Sequence, residues 1–243
     1  MRVVGIIQAR TGSVRLPGKV LRKLAGEPML AHVARRVQGA RTLDEVVVAT
    51  TTLPGDDAIA ELCADGGISC FRGSENDLLD RYYRAALEYR GEAIVRVTAD
   101  CPLIDSLIID RVVDEFLEHQ PDVEYASNIF PDRSYPRGLD TEIIRFDVLE
   151  RVWRTDQNPA WREHVTSYIH RHPEAFSTRC VRGDADYSHL RWTVDTPQDF
   201  ELVTRIYKEF SNDLFSWQEA LELINCHPAW SEINRDVEQK AVV

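Results

Sequence analysis

Ile6-Ile7-Gln8-Ala9-Arg10-Thr11-Gly12-Ser13-Val14-Arg15-Leu16-Pro17-Gly18-Lys19 is the stretch where an apolar run beginning at Val3 stops and a loop with two glycines, a proline and three cations begins. The run predicts a buried strand, and the glycines allow a tight turn and a close approach of backbone to ligand. Backbone N–H groups in that turn, joined by Arg10, Arg15 and Lys19, make a nest for a polyphosphate. The spacing excludes the better-known phosphate loops. Five residues separate Gly12 from Gly18 where a P-loop needs four, and Val20 stands in place of the magnesium-binding Ser or Thr. No GxGxxG follows the run either. The plainer alternative is a solvated basic surface loop.

Outward from this stretch the chain alternates strand and helix. Pro28 starts an amphipathic helix carrying Met29, Leu30, Val33 and Val37, with Arg35 and Arg36 expected outside. Residues 46–50 predict a second buried strand. Asp56 and Asp57 open a helix through Ile59, Leu62 and Cys63, which Gly66-Gly67 stops. A third strand, 68–71, leads through Gly73-Ser74-Glu75-Asn76-Asp77 into a helix with Leu78, Leu79, Tyr82, Tyr83, Ala86 and Leu87. The fourth strand, 93–98, runs into Ala99-Asp100-Cys101-Pro102, and a helix with Ile108, Ile109, Val112, Val113, Phe116 and Leu117 follows. Four such alternations predict a three-layer α/β/α fold around a mostly parallel sheet. Ligands of such sheets sit beyond the carboxyl ends of the strands, which gathers the 10–19 loop, Thr50, Thr51, Ser74 and Asp100 onto one rim.

The second half is less regular. Residues 123–127, 141–146, 176–182 and 190–194 predict strands, and 148–153 and 161–171 predict helices. Thr196, Pro197 and Asp199 approach a capping box at the head of another helix. A last helix covers about 216–224, and the polar chain after Trp230 is expected to fray. A single domain over 1–230 is expected, with an irregular acceptor-binding or dimerisation region at 125–180 and a polar tail at 231–243.

Composition narrows the classes. With 44% hydrophobic and 28% charged residues the chain can bury a sizeable core. A net charge of −11 argues against a nucleic-acid binder and makes the cations at 10–19 a local exception to the overall field. Five scattered cysteines without metal-ligand spacing predict reduced, mostly core residues of a cytoplasmic protein. No signal peptide or membrane-spanning run is read.

Asp100 ends one strand before a proline, and Asp195 ends another before a Pro-started helix. Two carboxylates on a rim with a phosphate loop suit Mg²⁺, a hard cation that prefers oxygen ligands and substrate phosphates. The competing explanations are a strand-end turn for Asp100 and helix-start stabilisation for Asp195. Zinc is excluded: no HExxH exists, and Ala160 stands where HxxEH needs its first His.

With these residues in view, the chain resembles the spore coat polysaccharide biosynthesis protein F group of cytidylyltransferases, related to CMP-KDO and CMP-acylneuraminate synthetases. The resemblance rests on Ile7-Gln8-Ala9-Arg10 through Arg15-Leu16-Pro17-Gly18-Lys19, Thr98-Ala99-Asp100-Cys101-Pro102-Leu103-Ile104, Tyr135-Pro136-Arg137-Gly138-Leu139-Asp140-Thr141-Glu142, Arg162-Glu163-His164-Val165, and Arg191-Trp192-Thr193-Val194-Asp195-Thr196-Pro197. Thr11 and Val14 depart from the pattern, where Met and Thr are more usual, and leave its charges intact. The resemblance implies a Rossmann-like nucleotide-diphospho-sugar transferase fold. It also implies attack of an acceptor oxygen on the α-phosphate of CTP, with release of pyrophosphate.

By the same resemblance Arg10, Arg15, Lys19 and Asp100 carry catalysis, and Asp100 and Asp195 hold Mg²⁺. Ala9, Arg10, Gly12, Ser13, Arg15, Lys19, Thr50, Thr51, Ser74 and Asp100 bind the nucleotide. Asn128, Arg137, Gly138, Asp140, Glu142, Arg162, Glu163 and His164 meet an acidic small-molecule acceptor. Arg137 is a planar fork suited to a carboxylate, phosphate or phosphonate, unless it pairs with Asp140. His164 is a candidate base or a structural helix residue. Expected partners are CTP, the acceptor and a second copy in a homodimer, with no nucleic acid and no membrane. The alternatives are a metal-dependent glycosyltransferase, whose DxD motif only Asp184-Ala185-Asp186 offers, and a non-catalytic nucleotide-binding partner.

Overall fold

The computed structural model describes residues 1–239. Strand β1 (Val3–Gln8) is apolar almost throughout because both of its faces are covered. A small antiparallel hairpin of β2 (Lys23–Leu24) and β3 (Glu27–Pro28) follows the loop. Helix α1 (Met29–Gln38), β4 (Glu45–Thr51), α2 (Asp57–Asp65), β5 (Ser69–Gly73), α3 (Leu78–Glu88), β6 (Ala93–Thr98) and α4 (Ser106–Glu118) complete the alternating half. The rest is β7 (Tyr125–Ser127), β8 (Glu142–Arg145), α5 (Phe146–Thr155), α6 (Pro159–Arg162), α7 (Ser167–Arg171), β9 (Thr178–Cys180), α8 (Pro197–Glu209) and α9 (Trp217–Cys226).

The sheet runs β5-β4-β1-β6-β8-β7-β9. Its first four strands are parallel, β8 lies antiparallel to both β6 and β7, and β9 is parallel to β7. Successive side chains along a strand enter opposite layers. Val3 and Ile7 pack with α1, α4, α8 and α9, while Val4 and Ile6 pack with α3, α5 and α7. From β1 the chain moves outward through β4 to β5, and then returns to lay β6 on the other side. The order therefore reverses between β1 and β6, and the crevice beyond their ends is where an open α/β sheet binds ligand. Gln8 stands opposite Thr98 at that crevice, so the 10–19 loop and Asp100 leave the sheet side by side.

Several expectations are corrected. Arg36 is not outside: it is buried, with Nε donating to the Ile104 carbonyl, Nη1 to that of Asp213 and Nη2 to that of Phe215. It anchors the 213–215 turn to α1, a long-range contact that helical spacing cannot reveal. Residues 161–171 form two short helices, α6 and α7, broken at 163–166, because Arg162 turns back to cap α5 through the Trp153 and Asp156 carbonyls. Residues 190–194 are not a sheet strand and only bridge Arg137 through Arg191. Beyond Trp230 the chain does not simply fray: Asn234 is buried, and its amide donates to Arg191 O and Asp199 Oδ1, each at 2.9 Å. Residues 240–243 of the expected tail lie outside the described residues. The cysteines are all free, but only Cys63 and Cys101 are buried, and Cys226 is exposed. Among the described residues no helix is long and apolar enough to cross a membrane.

Gly138 shows how tightly the irregular half is built. Its φ is +112°, and a Cβ there would stand 2.6 Å from Thr193 N and 2.7 Å from Trp192 C. The Arg137–Gly138 turn is thus pressed against the backbone that delivers Asp195. Gly12, by contrast, has nothing within 4 Å of a Cβ position. Gly138→Ala is expected to cost about 2–4 kcal/mol in urea unfolding, and Gly12→Ala less than about 0.5 kcal/mol. Equal effects would contradict the close approach.

Candidate active site

The loop after β1 is tied down by Asp56. Its carboxylate accepts Thr11 N and Thr11 Oγ1, each at 2.7 Å, and Thr51 Oγ1. Burial works against this charge, and the hydrogen bonds from Thr51 and Thr11 overcome it, holding the carboxyl below its usual range. Thr11 in turn accepts Ser13 N and Gly18 N at its carbonyl, and Gly18, at φ +65°, turns the chain into Lys19. Thr51 is therefore committed to the loop, and Thr50 is fully buried. Ser74 accepts Asp77 N ahead of α3. Gly12, Val14 and Arg15 face outward, Val14 at 94% exposure, while Ala9 is buried and Ser13 half-buried. Arg10 is exposed and forms no ion pair among the described residues.

Lys19 crosses from this loop into the crevice. Its Nζ donates to Asp100 Oδ2 at 2.7 Å, Val194 O at 2.8 Å and Asp195 Oδ1 at 2.8 Å. All three ammonium protons are used, as burial demands. Burial opposes the charge, yet Asp100 and Asp195 outweigh it and raise the Lys19 pKa. The converse holds for Asp100, which burial would neutralise but Lys19 keeps ionised below the ordinary carboxylate range. Asp195 Oδ2 takes Arg15 at 3.0 Å and Arg191 at 2.8 Å. Arg191 also grips Asp199 through Nε at 2.9 Å, and Asp199 closes the capping box of α8 with Thr196. Three cations and three carboxylates thus balance around one point. Exposed pairs contribute about 0–1 kcal/mol, but breaking one this enclosed costs about 3–5 kcal/mol.

The expected acceptor residues divide. Arg137 does not pair with Asp140, which takes both arms of Arg133 instead. Arg137 is left beside an open cavity of about 480 Å³ lined by Phe130, Arg133, His170 and Ser188. Burial and the nearby Arg133 depress its pKa, as for a cation short of counter-charge. Glu142 is unavailable to hydroxyls or metal, because it is buried on Arg96 and accepts Tyr125 Oη at 2.6 Å. Burial would raise its pKa, and Arg96 holds it far below the usual range. Asn128 is fully buried and staples Leu139 O and Thr141 N. Arg162 donates to Asp77 Oδ2 at 2.8 Å, bracing the start of α3. Glu163 is exposed, and His164 sits at the break between α6 and α7. None of residues 162–164 lines the cavity.

Arg191, Asp56, Arg133 and His170 were not singled out as site residues. Arg191 lay inside a quoted motif, and Asp56 at a helix start that it does not cap. Arg133 and His170 carry no spacing signal: His170 joins the cavity by stacking on Phe130, with ring centroids 4.4 Å apart. Asp184-Ala185-Asp186 is an exposed turn, with Asp186 accepting Ser188 N at 2.9 Å.

A cationic loop above two carboxylates, set at the reversal point of an open α/β sheet, defines a nucleotide-handling enzyme. A family model described as cytidylyltransferase matches residues 4–242, and the chain belongs to that family of nucleotidyltransferases. It is 37% identical over 243 residues to an uncharacterized protein of Methanocaldococcus jannaschii, covering 99% of this chain and 98% of that one. It is 30% identical over 234 residues to the spore coat polysaccharide biosynthesis protein SpsF of Bacillus subtilis, covering 93% and 95%. A solved cytidylyltransferase from Leptospira borgpetersenii superposes with a TM-score of 0.92 at 36% identity, covering 99% of this chain and all of that one.

Removing the lysine tests the cluster. With its pKa lowered in the fold, Asp100 contributes stability above its unfolded value near 4, and that contribution is lost as pH falls through the folded value. In Lys19→Met the two carboxylates face each other, so Asp100 is raised instead and stability falls as pH rises. Denaturant unfolding is expected to show a deficit of about 3–5 kcal/mol at pH 7 that shrinks toward pH 4. A deficit independent of pH would contradict the pairing.

Proposed function

We propose that the protein transfers CMP from CTP to an acidic acceptor, a sugar acid or related molecule, with Mg²⁺ and release of pyrophosphate. The observation that carries this is the Lys19 ammonium held between Asp100 and Asp195 beneath the cationic loop. Two carboxylate oxygens aimed at one cationic centre suit Mg²⁺, which takes one or two protein carboxylates and completes its shell with phosphates and water. Asp100 and Asp195 would hold the ion, whose chemistry is to offset charge on the phosphate oxygens.

The chain's own residues divide the remaining work. Arg10, Arg15 and Lys19 bind the triphosphate, and the exposed Gly12 N–H donates to its oxygens, the Ser13 N–H being spent on the Thr11 carbonyl. Arg137 takes the acceptor's acid group, and Arg133, fixed by Asp140, holds the cavity wall beside it. Positioning and charge stabilisation supply most of the rate in such a transfer. The Bacillus subtilis relative, a spore coat polysaccharide protein, supports a role in glycan assembly. The same proposal includes a cytoplasmic location and a homodimer across residues 125–180, where β9 leaves a sheet edge open. Sedimentation at a monomer mass of 27.8 kDa would remove the dimer.

Pyrophosphate release, followed with each of four nucleoside triphosphates, Mg²⁺ and a panel of sugar acids and phosphonates, tests the reaction. Turnover is expected with CTP only, to stop with chelator, and to fall about a thousandfold in Asp100→Asn and Asp195→Asn. Arg137→Met should raise the acceptor KM about 10- to 100-fold and leave that of CTP unchanged. Turnover indifferent to both aspartates would sink the reading.

A further inference from the structure

His170 lines the same cavity as Arg137, and a buried carboxylate stands behind it. It lies in the last turn of α7, stacks on Phe130 with the rings 5° from parallel, and keeps 27% of its side chain exposed. Its Nε2 points inward, 2.9 Å from Tyr125 Oη and 3.5 Å from Glu142 Oε1. Nδ1 has no hydrogen-bond partner among the described residues, and it is not enclosed as Nε and Nη1 of Arg81 are.

The hydrogen-bond roles along this chain of groups follow from charge. Glu142 is buried against Arg96 and ionised, so it only accepts. Tyr125 spends its one hydroxyl proton on Glu142 at 2.6 Å. Burial beside that charge pushes the phenol well above its usual range, so the proton stays. The Tyr125 oxygen is left to accept, and its bond to His170 requires the proton on Nε2. That fixes the neutral tautomer, with the lone pair at Nδ1. Packing alone does not call for this residue. A phenyl ring would stack on Phe130 as well, and Glu142 is already satisfied by Arg96 and Tyr125. An oriented imidazole with one basic nitrogen left over, on a cavity wall, has the parts of a general base.

We propose that His170 is the general base of the transfer, taking the proton of the acceptor hydroxyl at Nδ1. The assignment rests on the acceptor reading given above, in which Arg137 holds the acid group in this cavity. In the cyclic form of a keto-sugar acid the attacking hydroxyl stands on the carbon that carries the carboxylate. An acid gripped by Arg137 therefore keeps that hydroxyl in the cavity His170 lines. As the acceptor oxygen bonds to the α-phosphorus, its proton passes to Nδ1. The bond from the α-phosphorus to its bridging oxygen breaks, and the electron pair leaves on pyrophosphate. The imidazolium so formed is stabilised by the Glu142 charge through Tyr125. His170 is then a catalytic residue, and Tyr125 and Glu142 are positioning residues.

Two measurements test this. Nitrogen-15 NMR of the histidine side chains in ligand-free protein, assigned by comparison with H170Q, is expected to show the Nε2–H tautomer at His170. A proton on Nδ1 instead would overturn the assignment with no acceptor needed. With CTP, Mg²⁺ and the panel of sugar acids, H170F and H170Q are each expected to lose about 100- to 10,000-fold in kcat, with both KM values within about threefold of wild type. Imidazole added to H170A should restore part of the rate, and added to H170F should not. H170Q keeps a donor toward Tyr125, so wild-type kcat in H170Q would reduce His170 to a structural hydrogen bond and overturn the proposal. So would an H170F that raises the acceptor KM and keeps kcat. Where H170F does not fold, H170Q and the tautomer decide. Wild type that releases pyrophosphate with no acid of the panel would overturn the acceptor reading itself, and this proposal with it.

Discussion

The ammonium of Lys19 joins three pieces of chain that share no sequence neighbourhood: the loop after β1, the end of β6 and the segment entering α8. Each contact is a charge-assisted or carbonyl hydrogen bond in a site where water reaches little of the nitrogen, so each is stronger than its surface equivalent. Arg191 extends the same logic to Asp199, and Asp199 is also the capping residue of α8. The helix start, the carboxylate Asp195 and the loop after β1 are therefore parts of one charge network. Side chains locked in this way hold the rim in one arrangement, as the proposed binding of a polyphosphate requires.

The alternating half of the fold was legible because each strand is a short apolar run and each helix keeps its apolar spacing. Those patterns report which face is buried. Lys19 and Asp100 were legible for a related reason, since the loop after β1 and the end of β6 leave neighbouring parallel strands, whereas Asp195 was legible from the Pro-started helix that follows it and not from a strand. Partner choice was not legible. Arg137 with Asp140 is the pairing that sequence distance favours, yet Arg133 takes Asp140, because the 133–140 turn folds back and leaves Arg137 bridging Arg191. Glu142 was misread in the same way. Its neighbours Arg96, Tyr125 and His170 come from a strand, a strand and a helix that only the assembled sheet brings together. What Thr11 does is likewise visible only in the fold, where it donates to Asp56 and Gly55 and accepts Ser13 N and Gly18 N.

The irregular half makes sense as a wall built around backbone constraints. Gly138 permits the turn at Arg137 to press on Trp192 and Thr193, and Asn128 staples the same turn from the other side. Short strands and broken helices bury little area apiece, so their placement relies on such staples more than on periodic apolar faces. Sequence periodicity weakens in this half for that reason.

Charge balance links the two halves. The Lys19 cluster is internally neutral, three cations against three carboxylates, and the chain as a whole is strongly negative. Neither can attract an anion by net charge. Arg15 and Lys19 are shared with those carboxylates, and the cations left over at the rim are Arg10 at the loop, Arg81 under β5 and Arg137 at the cavity. Among the described residues the fold brings each to this end of the sheet without an ion-pair partner, while it pairs Arg36, Arg96, Arg133, Arg162 and Arg191 with carbonyls or carboxylates that hold elements together. An unpaired cation at a rim costs folding energy in the ligand-free chain, a cost that an anionic group bound beside it would offset.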